Sequence, residues 1–153
     1  MKFKIPAALK LDPVDMRAAL ARAMKEPGPV GRPAQTVAKL VNAHFAKEEE
    51  FVVPTFALMH DLAMGQWRAE MANVLLLIFR LEAEHDGLVA EHKSIRAALE
   101  ALMEVAHKNG NIECAQMAYN LMVHGKVEET VIYPMVLLIG NYIRRQLGIK
   151  ADK

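Results

Sequence analysis

The sequence predicts an all-α chain, an up-down-up-down four-helix bundle built from two related helical hairpins, and three observations predict it. Apolar residues recur at three- and four-residue spacing through every long segment. No stretch alternates apolar and polar residues as a half-buried strand would. One segment, His-Phe-Ala-Lys-Glu-Glu at residues 44–49, returns with its spacing intact as His-Gly-Lys-Val-Glu-Glu at residues 124–129. At 153 residues the chain suits a single domain, residues 1–153, with one sizeable core.

Residues 1–11 read as an extended arm. Asp12 and Pro13 then open a first helix over residues 13–26, the aspartate as N-cap and the proline at the first helical position. Met16, Leu20, Ala23 and Met24 give it one apolar face. Pro27-Gly28-Pro29 stops it, and Gly31-Arg32-Pro33 opens a second helix that runs through His44 and Glu48 toward Asp61. Pro54 falls inside that helix, where it removes a backbone hydrogen bond, so a kink is expected about two turns past Glu48.

Gly65 separates this helix from a long third one over residues 66–107. Its expected buried face is Leu75, Ile78, Phe79, Leu81, Leu88, Ile95, Leu99 and Leu102, with His85 and His92 seven residues apart on roughly the same side. Asn109-Gly110-Asn111 is a turn, and the fourth helix spans residues 112–147 with a kink near Pro134. A second repeat relates the hairpins: residues 96–103, Arg-Ala-Ala-Leu-Glu-Ala-Leu-Met, match residues 17–24, Arg-Ala-Ala-Leu-Ala-Arg-Ala-Met. Their offset agrees within one residue with that of the histidine motifs, so helices one and two correspond to helices three and four.

Composition narrows the function classes. Nineteen basic and 18 acidic residues leave a formal charge of +1, and neither sign forms a long block, so neither nucleic acid nor an anionic membrane surface is an expected partner. Cys114 is the single cysteine and has no internal disulfide partner. No charged-then-apolar leader opens the chain, and a cytoplasmic location is expected. The longest apolar runs, residues 74–79 and 131–140, fall well short of the roughly 20 residues that a membrane helix needs.

The repeated motif carries the chemistry. His44, Glu48, Glu49 and Pro54 correspond one for one to His124, Glu128, Glu129 and Pro134. A four-residue interval sets imidazole and carboxylate on one helix face, one turn apart. Such a pair meeting a matching pair from another helix is how helical bundles hold two iron or manganese ions. A single His-x-x-x-Glu arises by chance and most often marks an ordinary packed or solvated residue. Its recurrence with a second glutamate and a proline is what sets this one apart.

Together with Glu91-His92-x-x-Ile95, the two motifs resemble the hemerythrin-like, or HHE cation-binding, domain family over residues 12–140. The resemblance implies a four-helix bundle around a non-haem di-iron centre. His44 and His124 would be terminal ligands, Glu48 and Glu128 bridging ligands, and His92 the ligand from the third helix. One departure stands out: family members usually carry a histidine on the first helix, and here no histidine precedes His44. Asp12, Asp15 or His85 is then the substitute, or one metal is short of a ligand. Chain reversal at Gly65 brings His85 level with His44, and reversal at Gly110 brings His92 level with Glu128. Seven residues rise about 10 Å, so a pair of metals roughly 3.5–4 Å apart would require both side chains to lean inward.

Other candidates are weaker. His60 and His107 are expected to face solvent or to stand behind the ligands. Glu49, Glu84, Glu91 and Glu129 are of the right type to accept the distal N–H of a ligating imidazole, though each also reads as an exposed charge. Tyr133 reads as a structural tyrosine or as a phenol near the metals. Ten methionines spread over all four helices read as an adaptable core.

Imidazole and carboxylate ligands without thiolate suit two iron ions, with manganese or zinc as alternatives. Such a centre leaves positions open for O2, NO or peroxide, and Phe45, Leu88 and Val127 would form an apolar pocket around it. The expected function is binding of O2, NO or iron for storage, sensing or delivery. A sensing role would need a second copy of the chain or another protein as partner. Two alternatives are a di-metal oxidoreductase acting on peroxide or ferrous iron, and a metal-free helical interaction module. A haem bundle is disfavoured by the absence of a Cys-x-x-Cys-His attachment motif.

Overall fold

The computed structural model describes residues 13–149, with the side chains of residues 16–149, and every regular element among them is helical. In chain order these are α1 (Pro13–Met24), α2 (Gly31–Phe51), α3 (Val53–Phe56), α4 (Met59–Ala63), a 3-10 segment (Ala69–Val74), α5 (Leu75–Lys108), α6 (Ile112–Val127), a π-helical turn (Glu128–Ile132) and α7 (Tyr133–Gln146). The arm over residues 1–11 and Asp12 lie outside the described residues, as does the side chain of Asp15. Among the described residues no helix is long and apolar enough to cross a membrane.

Five of these helices have 12 residues or more, one more than expected, because the fourth expected helix is divided into α6 and α7; the second breaks into α2 and two short pieces, and the third starts late. Pro54 breaks the second rather than bending it. The Val52 N–H still donates to Glu48 O at 2.9 Å, but α3 then restarts with Pro54 in its first turn, where a missing N–H leaves nothing unsatisfied. The third helix begins late. Arg68 is extended, a 3-10 segment follows, and Trp67 rests edge-on against Tyr142 of α7, a tertiary contact that helical periodicity does not encode.

Pro134 deforms the fourth helix in a different way. A proline ring presses on the carbonyl four residues back, and here the helix widens into the π turn just before it. The Tyr133 N–H accordingly reaches back five residues to Glu128 O. The turns fall where glycine permits them. Gly110 adopts φ +68°, a left-handed conformation, between α5 and α6, and Asn111 caps α6 by accepting the Cys114 N–H at 3.0 Å.

α1 packs on α2 and α6, α5 packs on α2 and α6, and α7 packs on α5 and α3. The apolar interior falls into two clusters along these helices. One joins Leu20, Val41, Phe45, Ile95, Leu99 and Leu121, and the other joins Phe51, Ile78, Leu81, Leu88, Tyr133 and Val136. The expected face of α5 is buried, with one correction: Phe79 is 47% exposed. It lies about 100° around the helix from Ile78, and the Arg144 guanidinium, 4.9 Å from its ring centre, covers it instead of the core.

The boundary between the clusters positions the site. Along α2 it falls between Phe45 and Phe51, along α5 between Leu88 and Ile95, and along α6 and the π turn between Leu121 and Tyr133. Glu48, His92, His124 and Glu128 lie within these intervals, and His44 adjoins Phe45.

Candidate metal centre

α2 supplies His44 and Glu48, α5 supplies His92, the end of α6 supplies His124, and the π turn supplies Glu128. Ligand atoms of His44, Glu48, His92 and Glu128 all lie within 4.8 Å of one another, and all four side chains are buried. Burying four polar side chains in an apolar interior is costly unless each finds a partner. Most of their polar atoms find partners in one another and in Glu91, His124, Glu129 and Tyr133.

Glu128 is the hub. Its Oε1 lies 2.6 Å from His124 Nε2 and its Oε2 lies 3.2 Å from His92 Nε2. Glu48 Oε1 is 3.5 Å from His44 Nε2 and accepts a hydrogen bond from the Tyr133 hydroxyl at 2.6 Å. The imidazoles of His44 and His92 are 4.4 Å apart between ring centres, so the two halves of the cluster form one group.

Each of these two histidines is oriented by a carboxylate from a different helix. His44 Nδ1 lies 2.9 Å from Glu91 Oε2, and His92 Nδ1 lies 3.0 Å from Glu129 Oε1. Such a carboxylate fixes the proton on Nδ1 and leaves Nε2 as the free donor. The arrangement is crossed: α5 carries both the candidate ligand His92 and the residue that orients α2's His44. Lys47 in turn holds Glu91, a role that its spacing of three residues from His44 could have signalled. Glu91→Ala is expected to weaken metal binding about 10- to 100-fold without unfolding the chain. Competition against a chelator measures it, and unchanged affinity would remove Glu91 from the site.

The electrostatics fit a cation. Burial raises the pKa of Glu48, and the nearby Glu128 carboxylate adds to this. Burial also acts to raise Glu128, but the adjacent imidazoles of His124 and His92 outweigh it and hold that carboxyl well below the usual range. Burial opposes charge on His44 and His124, yet Glu48 lifts the first and Glu128 the second above the ordinary imidazole value.

A stricter test comes from the unpaired atoms. His92 Nε2 and Glu128 Oε2 are both buried, and although only 3.2 Å apart they are not aligned for an N–H···O bond. Neither has another partner. Two buried donor atoms of metal-ligating type, pointed into one space without a hydrogen bond, are what a bound cation would satisfy. The donor set of imidazole nitrogen and carboxylate oxygen, with no thiolate, suits iron, manganese or zinc.

The remaining expected residues lie elsewhere. His85 does not join the cluster: its side chain is 37% exposed, Nδ1 is 3.5 Å from Asp86, and the ring packs edge-on against Tyr133 with 6.0 Å between centres. His60 and His107 are exposed. Glu49 pairs with Arg17 at 2.6 Å, and Glu84 pairs with Arg80 at 2.8 Å. Phe45 and Leu88 are buried beside the site, and Val127 is half-buried. From α1, the Arg17 guanidinium stands 5.2 Å from the Phe45 ring centre. No family model, no curated protein and no solved structure matches the chain.

Proposed function

We propose that this chain is a hemerythrin-like di-metal protein, a four-helix bundle of two related hairpins, with the broken second and fourth helices counted as one each. Its buried His/Glu group would hold a pair of iron ions and serve to bind O2, NO or iron for storage, sensing or delivery. The observation that carries this reading is the buried, mutually facing set of His44, Glu48, His92 and Glu128 with two donor atoms left unpaired. His44 and Glu48 would hold one cation, His92 and His124 the other, with Glu128 reaching both imidazoles of the second. A ferrous pair, when bound, supplies redox-active ions with open positions for a diatomic ligand. Around it Glu91 and Glu129 keep the Nδ1 protons in place. Phe45 and Leu88 exclude water, and the opposed carboxylates offset the repulsion between neighbouring cations.

A second reading, a di-metal oxidoreductase acting on peroxide, draws support from the phenol of Tyr133 against Glu48. Anaerobic loading with ferrous iron followed by exposure to air separates the readings. A charge-transfer band that appears in air and reverses on removal of oxygen is expected for the binding protein. Sustained peroxide turnover would favour the enzyme instead. Absence of metal uptake would leave only a metal-free helical module.

A further inference from the structure

The chain has no histidine before His44, so a di-metal centre of the kind proposed above lacks an imidazole from α1. One buried oxygen, that of Tyr133, stands in the cluster without an assigned part. The residue has no exposed surface. Its hydroxyl is 2.6 Å from Glu48 Oε1 and 3.4 Å from His44 Nε2, and those two atoms are themselves 3.5 Å apart. Donor atoms that share one cation at bonds of about 2.1 Å and angles of about 90–109° stand roughly 3.0–3.4 Å from one another. The two longer sides of this triangle are close to that range, and the third, from the hydroxyl to Glu48 Oε1, is the length of the hydrogen bond that a cation would replace. We infer that Tyr133 is a metal ligand, its phenolate oxygen joining His44 Nε2 and Glu48 in holding one cation of the pair; this rests on the di-metal reading.

The backbone is shaped to bring the ring there. In an uninterrupted α-helix the residue four after Glu128, Ile132, would stand one turn beyond it. The π turn adds one residue to that turn, and Tyr133 takes the place instead, its N–H bonded to Glu128 O. π turns give up regular helical pairing and frequently accompany functional sites. The first copy of the motif shows the contrast. Val53 occupies the position equivalent to Tyr133, and there the helix stops and restarts without a π turn. The phenol therefore serves one side of the centre only.

The ring is also held rigidly. His92 stacks parallel to it, with centres 5.9 Å apart and planes 2° from parallel, while His85 meets it edge-on. The hydroxyl proton is donated to Glu48. A cation held by His44 and Glu48 would take the place of that proton, which would pass to solvent, because a bound cation stabilises the anion that ligates it. A hard, anionic oxygen donor suits ferric iron.

Ferric loading of the full chain tests this, read by visible absorption and resonance Raman spectroscopy. The expected result is a phenolate-to-iron(III) charge-transfer band with enhanced phenolate ring modes. Both should disappear in Tyr133→Phe, while far-UV circular dichroism is kept and iron affinity falls at least about tenfold. Ring-deuterated tyrosine in the unaltered chain shifts the same modes when a tyrosine is the ligand, and a band kept in the double variant Tyr119→Phe, Tyr142→Phe assigns it to Tyr133 even if Tyr133→Phe fails to fold. Bound iron without phenolate modes would overturn the inference and leave Tyr133 a hydrogen-bond donor to Glu48, with the di-metal reading intact. A band that persists in Tyr133→Phe would move the ligand to Tyr119 or Tyr142 and also overturn it. Failure of the unaltered chain to take up any iron would sink the di-metal reading, and the inference with it.

Discussion

Glu128→Ala is expected, on the proposed di-metal reading, to abolish binding of at least one metal ion while leaving the chain helical. Glu128 is the one carboxylate that reaches two imidazoles, at 2.6 Å from His124 and 3.2 Å from His92, so its loss removes a ligand and leaves both histidines facing an empty space. Leaving a buried group without its partner costs about 1–3 kcal/mol. That is enough to lower the melting temperature but not to unfold a chain with two apolar clusters. Glu48→Ala should behave in the same way, through His44. Elemental analysis of both variants after identical iron loading is the deciding measurement. A full pair of ions retained by both would refute the assignment of these carboxylates to the centre.

Leu99→Ala is expected to have the opposite signature, a large loss of stability with metal binding retained in the folded fraction. Leu99 is 1% exposed in the cluster that joins α1, α2, α5 and α6. It lies seven residues, about 10 Å, along α5 from His92. Truncating a buried leucine removes its transfer free energy and leaves a cavity, together about 2–5 kcal/mol. Chemical denaturation at constant metal concentration measures the loss. A stability change below that of Glu128→Ala would mean that the polar layer, not the apolar clusters, holds the helices together.

The two substitutions separate what the fold does for itself from what it does for the site. The apolar clusters lie on either side of the polar layer, so apolar packing alone sets the positions of the His and Glu side chains that the proposed centre would use. That division suits a centre in which the helices are set by burial and the metal by His and Glu geometry. Neighbouring residues reach one imidazole from two sides: Glu91 meets His44 at Nδ1 while His92 lies against its ring, and Glu128 and Glu129 face the two nitrogens of His92.

Helical periodicity and the duplicated His-x-x-x-Glu-Glu were sufficient to read from the sequence an all-helical chain and to place His44, Glu48, His92, His124 and Glu128 on faces that meet. This was legible because a four-residue interval fixes two side chains on one helix face whatever the tertiary context. The first helix and the turn at Gly110 were legible for the same local reason, since glycine and proline act on the backbone where they stand. Whether Pro54 and Pro134 would bend, break or widen their helices was not legible, because a proline states only that one hydrogen bond is missing. The surrounding packing chooses how the helix absorbs the loss. That choice settled the place of Tyr133, which the spacing of four residues paired with Glu129 and the π turn instead sets beneath Glu128, against Glu48. His85 and His92 share a helix face by sequence, but only the crossing of α2, α5 and α6 decides which imidazole reaches the interior. His92 does, because it lies at the boundary between the two apolar clusters, and His85 is left at the edge, where its ring covers Tyr133 and reaches solvent.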